Sequence, residues 1–236
     1  MNKNIPDNNV SFDYKNLLNI FVNKIQNTFN DNLVSVFLTG SYARGEAVDN
    51  SDLDIWCVFN KLDTEILTKI GEISRNLPIN YNELEINSQC LTLNEFENGY
   101  FSEFLAYPII YLEGILLFGD DITTKQIQDK EIDKIYKEFL AEVLMSIRHY
   151  ISVNEPVEKL TYQKIKMWVL KPLMFALLLE RYLYKKQYPL KINDLLSSYE
   201  VPPVSLLYYM NKEKWDYDII KNRNKTLYSI HEEIHY

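Results

Sequence analysis

The stretch FLTGSYARGEAVDNSDLDIWCVF, residues 37–59, combines a glycine–serine turn with two aspartates one residue apart. Gly40 and Ser41 follow an apolar segment, and Asp52 and Asp54 open the next one. Because side chains alternate across a β-strand with a period of two, both aspartates point to the same face of the predicted strand 52–59. The stretch therefore predicts two neighbouring carboxylates, close to a turn where glycine lets the backbone approach a ligand.

Two adjacent carboxylates repel each other, and a divalent cation is the plainest means of keeping both ionised. Mg²⁺ prefers hard oxygen ligands and takes few of them from protein and the rest from phosphate and water. The segment after Gly40 is predicted to open a short helix whose amides, with the Ser41 hydroxyl, favour a triphosphate. Arg44 has two interpretations at this stage: a phosphate contact, or an ion pair with Glu46 or Asp49.

The flanking segments predict a layered α/β arrangement around this stretch. Apolar residues at three- and four-residue steps predict a helix from Ser11 to Phe29, with Ser11 as its cap. Residues 33–39 and 80–93 have strand patterns, and residues 63–77 have a helical one. We therefore predict an α+β fold whose N-terminal part is a mixed sheet with flanking helices.

The pattern becomes helical throughout the second half of the chain. Pro172 interrupts a long apolar helical stretch, because proline lacks the N–H donor and clashes with the preceding turn, and a break is expected near Lys171. We predict a first domain over residues 1–124 and a helical bundle domain over residues 125–236.

The composition excludes several classes of protein. With 47% hydrophobic and 25% charged residues among 236, the chain is expected to fold compactly. A net charge of −8 argues against binding nucleic acid through phosphates and suits a cationic partner. The two cysteines, Cys57 and Cys90, are too few for a disulfide framework. No secretory signal or membrane span is recognised, so we expect a cytoplasmic protein without a membrane partner.

GSYARGEAVDNSDLDIWCVF resembles the signature of the nucleotidyltransferase superfamily typified by DNA polymerase beta. In that signature glycine and serine are followed, ten residues on, by acid, any residue, acid. Gly40, Ser41, Asp52 and Asp54 occupy those positions. The layout, with a helical second half, is similar to that of aminoglycoside nucleotidyltransferases. The resemblance implies a nucleotidyltransferase catalytic domain over residues 1–124 and a substrate-binding domain over residues 125–236.

The resemblance implies a third carboxylate on a later strand. The segment ELEINS, residues 83–88, offers Glu85 for it, and Glu83 is a rival on the same strand face. The segment YLEGILLFGDD, residues 111–121, is similar to the end of the catalytic domain in these families. We therefore assign two Mg²⁺ ions to Asp52, Asp54 and Glu85, and ATP to Gly40, Ser41 and Arg44.

The function implied is transfer of AMP from ATP to a hydroxyl of a small cationic acceptor such as an aminoglycoside, with release of pyrophosphate. The catalytic base is open between Glu85, Glu83 and two acids of the helical half, Glu138 and Glu142. Alternatives to this function are protein adenylylation of the minimal antitoxin type and an inactive nucleotide sensor. The acceptor, the preferred nucleobase and a homodimeric state are also left open.

Overall fold

The structure is a computed structural model that describes residues 4–49, 51–76, 85–98, 106–124, 129–188 and 191–234. The chain folds into two compact units, Met1–Ile127 and Gln128–Tyr236. The catalytic and substrate-binding roles of the two parts stay predictions. None of the helices in the described ranges is long and apolar enough to cross a membrane.

The first unit alternates helices and strands. Its elements are α1 (Tyr14–Phe29), β1 (Leu33–Thr39), α2 (Gly40–Arg44), β2 (Leu53–Phe59), α3 (Thr64–Arg75), β3 (Ile86–Thr92), α4 (Leu93–Asn98), α5 (Ala106–Leu112) and β4 (Ile115–Gly119). The strands form a four-stranded sheet in the order β3-β2-β1-β4. β1 is antiparallel to β2 and β4, whereas β2 and β3 are parallel. The parallel pair needs a crossover, which contains α3, and the predicted mixed sheet with flanking helices is confirmed.

Both faces of the sheet are buried, and the alternation of side chains along β1 explains how. Val36 and Leu38 point to a core that includes Phe21 of α1. Phe37, between them, points to a second cluster with Phe96 of α4 and with α5. The apolar run 33–39 is therefore one of the two inner strands of a three-layered unit, and Gly40 follows directly at its end.

The predicted start of the first helix was wrong by a few residues. α1 begins at Tyr14, and its cap is Asp13, whose Oδ1 accepts the Asn16 N–H at 3.0 Å. Ser11 lies before the helix, where its own N–H donates to the Asp49 carboxylate. Serine and aspartate both cap helices well. Ser11 is bound to the distant Asp49 instead, and Asp13 caps the helix.

The second unit is helical, as predicted. Its elements are α6 (Asp129–Ser152), α7 (Tyr162–Ile165), a π-helical segment (Lys166–Leu170), α8 (Lys171–Lys185), α9 (Ile192–Ser197), α10 (Val204–Met210) and α11 (Lys212–Glu233). Its core joins α6, α8 and α11, with Trp215 fully buried. The helix type changes from π to α at Lys171, next to Pro172, while Leu170 and Lys171 keep helical backbone angles. The expected break near Lys171 is therefore a change of helix type within a continuous helical run.

Candidate active site

The turn after β1 places the backbone of Gly40 against a carboxylate. Gly40 has φ +70°, and a Cβ on this residue would lie 2.2 Å from Oδ2 of Asp54. Thr39 pairs with Asp54 across β1 and β2, which sets this approach. Ser41 follows in α2, half-buried beside the turn. Only glycine fits here, because any side chain would meet both a strained backbone and the carboxylate.

The other oxygen of Asp54 is bound by an amide from the neighbouring strand. Asp54 pairs with Asn87 in the β2–β3 register, and the Asn87 Nδ2 donates to Asp54 Oδ1 at 2.9 Å. The Asn87 Oδ1 in turn accepts from Gln89 at 3.0 Å. The half-buried Asp54 carboxylate is thus oriented from two sides, by Gly40 and by Asn87. The sequence prediction had given Asn87 no role.

Asp52 and Glu85 lie beside each other where β2 and β3 begin. Leu53 pairs with Ile86, and the Leu53 N–H donates to the Glu85 carbonyl at 2.9 Å. One position earlier on each chain, Asp52 and Glu85 are therefore neighbours, and both are exposed. The period of two puts them on the same face as Asp54. Glu83, the rival to Glu85, lies outside the described residues.

The carboxylates do not form a ready three-ligand metal centre. In the described part of the chain, no three side chains of histidine, cysteine, aspartate or glutamate lie close enough to hold one ion. Two aspartates nevertheless supply the hard oxygens that Mg²⁺ prefers, and Mg²⁺ takes its remaining ligands from phosphate and water. Asp52 and Asp54 therefore fit a Mg²⁺–nucleotide complex better than a metal held by protein alone.

Arg44 is engaged in ion pairs within the protein. Its Nε lies 3.1 Å from Oε2 of Glu46, and its Nη1 lies 3.2 Å from both carboxylate oxygens of Glu113. The Arg44 side chain is 9% exposed and that of Glu113 is 1% exposed. Of the two interpretations of Arg44, the structure shows the ion pair, with Glu46 as one of its partners.

Glu113 is a residue of the site that sequence reasoning missed. Its Oε1 also accepts the Gly40 N–H at 3.1 Å, so a buried carboxylate ties the turn to the end of α5. Gly114 follows it, and a Cβ there would lie 2.3 Å from the Ile110 carbonyl oxygen. The sequence did contain a signal for Glu113, because it is the one acid in the run 109–118 and a buried charge needs a partner.

Comparison with known proteins identifies the family. Residues 18–165 match the family model described as "Nucleotidyltransferase domain", which is more than half of the chain. The chain belongs to this nucleotidyltransferase family. The matched region contains both aspartates, the Gly40 turn and Glu113.

Two relatives of this nucleotidyltransferase differ in what they share with it. The solved structure titled spectinomycin adenyltransferase AAD(9) from Enterococcus faecialis with ATP and spectinomycin superposes with a TM-score of 0.57. The match covers 94% of this chain and 99% of that one at 15% identity, and it therefore supports the fold. A Methanocaldococcus jannaschii protein named as a candidate protein adenylyltransferase, MJ1305, is 45% identical over 47 residues. That match spans 20% of this chain and only 32% of the relative's length.

Tyr42, which lies in α2 just after the Gly40 turn of this nucleotidyltransferase, is an uncharged residue beside the acidic site. Tyr42, in α2, is fully buried, and its burial raises its pKa to about 12. The negative charges of Asp49 and Asp52 act in the same direction. The phenol is therefore neutral at physiological pH, and it lies close enough to sense the charge of Asp52.

The other acids considered as bases lie in the second unit of the nucleotidyltransferase. Glu138 and Glu142 are one helical turn apart on α6, and both are exposed. Such a position is typical of the solvated side of an amphipathic helix. Their role as bases stays a prediction, while Glu85 lies beside Asp52.

Proposed function

We propose that this chain transfers AMP from ATP to a hydroxyl group of a small cationic acceptor, with aminoglycoside-type antibiotics as the acceptor class. The observation that carries the proposal is the seating of the Asp54 carboxylate against Gly40 in a nucleotidyltransferase domain. This contact joins the predicted phosphate turn to the predicted metal ligand. A triphosphate bound at the turn would then lie beside the Asp54 carboxylate.

In the proposed reaction an acceptor oxygen attacks the α-phosphorus of ATP. The bond between that oxygen and phosphorus forms, the bond from the α-phosphorus to the bridging oxygen breaks, and pyrophosphate leaves with the electron pair. Glu85, beside Asp52, takes the proton of the acceptor hydroxyl. Asp52 and Asp54 would hold Mg²⁺, two ions in all when Glu85 shares the second.

Mg²⁺, when bound, neutralises the triphosphate and stabilises the attacking and leaving oxygens. Gly40 and Ser41 line the phosphate side of the turn, and the missing side chain at position 40 leaves room for Asp54. Asn87 fixes the orientation of the Asp54 carboxylate through its amide. Arg44 contributes through the shape of the turn, since its guanidinium is bound by Glu46 and Glu113.

The acceptor class rests on charge and on the structural relative. The chain carries a net charge of −8, which favours a cation over an anion as its partner. The structural relative, which matches over nearly its whole length, is titled as binding ATP and spectinomycin. Together they favour a polyhydroxylated amine as acceptor and ATP as donor.

The test is incubation of the protein with ATP, Mg²⁺ and a panel of aminoglycosides that also includes spectinomycin. We expect pyrophosphate release with at least one compound and, by mass spectrometry, an acceptor that has gained one adenylyl group. The matched control is the Asp54→Asn variant, which should give neither product. Absence of both products with every compound would overturn the acceptor class, whereas the family assignment would stand.

Protein adenylylation is the second candidate, because the 47-residue match is to a protein named as a candidate protein adenylyltransferase. Its test uses ATP labelled at the α-phosphate and an extract of the source cell. Label on a protein band with the parent, and none with Asp54→Asn, would favour a protein acceptor. Label on an aminoglycoside alone would exclude it.

A further inference from the structure

Glu113 is a buried carboxylate with partners at two positions of the Gly40 turn. One of its oxygens accepts the Gly40 N–H at 3.1 Å and also lies 3.2 Å from Arg44 Nη1. The other oxygen lies 3.2 Å from the same nitrogen. Gly40 and Arg44 are the first and last residues of α2. One side chain therefore binds both ends of the short helix that follows the turn.

Glu113 is itself held firmly at the junction of α5 and β4. Its N–H donates to the Ile109 carbonyl at 3.0 Å, and the N–H of Gly114 donates to the Ile110 carbonyl at 3.1 Å. β4 then pairs with β1, so that Ile115 lies opposite Leu38. The Glu113 carboxylate thus reaches the Gly40 turn from the start of β4, and the turn follows β1, the neighbouring strand.

The Gly40 amide is consequently used inside the protein. Its N–H points to Glu113, and the Gly40 Cα faces the Asp54 carboxylate on the other side. A shift of this residue toward β2 would press it into Asp54, and a shift the other way would break the bond to Glu113. The position of the turn relative to Asp54 is therefore determined by Glu113.

We infer that Glu113 is a positioning residue for nucleotide binding, which acts through Gly40 and Arg44 and touches neither ATP nor metal. This inference rests on the proposed function. A carboxylate suits the task because a charged acceptor binds an N–H and a guanidinium more strongly than a neutral one. Arg44 supplies a compensating positive charge, which Glu113 shares with Glu46.

The experiment compares the parent with Glu113→Gln, which keeps an oxygen for the Gly40 N–H but loses the charge. The first readout is hydrogen exchange of the peptide that contains residues 40–45. The second is the Kd of Mg²⁺ with α,β-methylene-ATP, measured by calorimetry below the unfolding temperature of each variant. The matched control is Glu233→Gln, since Glu233 is a half-buried carboxylate that, like Glu113, accepts backbone N–H bonds, in its case from Val204 and Ser205.

We expect Glu113→Gln to speed exchange in residues 40–45 and to raise the Kd about tenfold, the difference between a charged and a neutral acceptor. Glu233→Gln should change exchange only around residues 204–205 and leave the Kd within about twofold of the parent. The double variant Arg44→Gln/Glu113→Gln lacks both charges and leaves no buried guanidinium without Glu113. We therefore expect its Kd to be no higher than that of Glu113→Gln alone.

The outcomes separate this inference from the proposed function. A parent that does not bind Mg²⁺ with α,β-methylene-ATP overturns the proposed function and this inference with it. A parent that binds, together with a Glu113→Gln variant of equal Kd and unchanged exchange, overturns the inference alone. Equal losses in Glu113→Gln and Glu233→Gln also overturn it, because they indicate a general effect on stability.

Discussion

The carboxylate of Asp54 occupies the space that a side chain on residue 40 would need. A Cβ on Gly40 would lie 2.2 Å from Oδ2 and 3.1 Å from the carboxyl carbon of Asp54. The two residues belong to neighbouring antiparallel strands or their ends, and they approach because Thr39 pairs with Asp54. The predicted phosphate turn and the strand that carries the predicted metal ligands are thereby one structural unit, and a change at either residue should alter the position of the other.

Gly40→Ala should therefore lower activity strongly while the fold persists. The new methyl group would displace the Asp54 carboxylate, and a misplacement of about 1 Å at a reacting centre costs roughly a hundredfold in kcat/KM. The positive φ adds a loss of about 1–2 kcal/mol in the free energy of unfolding. Pyrophosphate release and urea unfolding measure the two effects.

Gly71→Ala is the control for this substitution. Gly71 lies inside α3, and the nearest atoms to a Cβ there would be those of the flexible guanidinium of Arg75, from 3.3 Å. Alanine in a helix interior is favoured by about 1 kcal/mol over glycine, so this variant should be as active as the parent and slightly more stable. Parental activity in Gly40→Ala would contradict the seating of Asp54 against the turn.

Asp52→Asn and Asp54→Asn should each lower kcat by roughly a thousandfold, because an amide binds Mg²⁺ far more weakly than a carboxylate. The measurement is pyrophosphate release over a Mg²⁺ titration, with Asp31→Asn as an exposed control in the same unit. Unchanged binding of α,β-methylene-ATP in both variants, with no turnover in the parent, would instead support the inactive nucleotide sensor.

Glu85→Gln tests the catalytic base. Loss of a general base costs about 10²–10⁴ in rate, and we expect kcat to fall while the KM for ATP changes little. Glu83→Gln is the matched variant, two residues away on the predicted strand face. A large fall in Glu83→Gln with normal kcat in Glu85→Gln would transfer the role to Glu83.

The two cysteines should be unreactive in the folded protein. Cys57 and Cys90 are partners in the β2–β3 register, and both are free thiols. Burial raises the pKa of Cys90 to about 11 and that of Cys57 well above its ordinary value. At pH 8 about one Cys90 in a thousand would be a thiolate. A disulfide reagent should label both thiols quickly in denaturant and slowly in the native state; fast native labelling would contradict the burial of Cys57 and the half-buried position of Cys90.

Glu233 should make stability fall with rising pH. Burial raises its pKa above the ordinary 4.5, although bonds from the Ser205 side chain and from the N–H groups of Ser205 and Val204 act in the opposite direction. The folded protein therefore holds this proton more tightly than the unfolded chain does. Its contribution to the free energy of unfolding is greatest below pH 4.5 and is lost as pH rises toward the folded pKa.

Urea unfolding of the parent and Glu233→Gln from about pH 4 to about pH 7 measures this contribution. Relative to the glutamine variant, which does not titrate, the parent should lose stability across the lower part of that range. A parent that instead gains stability relative to Glu233→Gln as pH rises would contradict the prediction.

Several features were predictable because their signals are local. The apolar run 33–39 and the alternation after Asp52 predicted the two central strands, and the mixed sheet with helical second half is confirmed. The cap of α1 was misassigned between Ser11 and Asp13, since both types suit that position and a distant bond to Asp49 separates them. Pattern alone cannot rank two good caps.

The partners of Arg44 include one residue that is close in the sequence and one that is distant. Glu46, two residues away, was among its predicted partners, whereas Glu113, 69 residues away, was not. Asn87 bonds to Asp54 from 33 residues away for the same reason. Each contact depends on which strands are neighbours and in what register.

The amino-acid sequence by itself determined the candidate site, through a glycine turn and a pair of aspartates whose spacing matches the strand period. Only the tertiary structure decided how that turn is supported, since Glu113 reaches Gly40 across 73 residues. Turn and strand preferences are set by adjacent residues, whereas strand order and register arise from burial of the whole sheet. Glu113 is brought to Gly40 only by the pairing of β4 with β1.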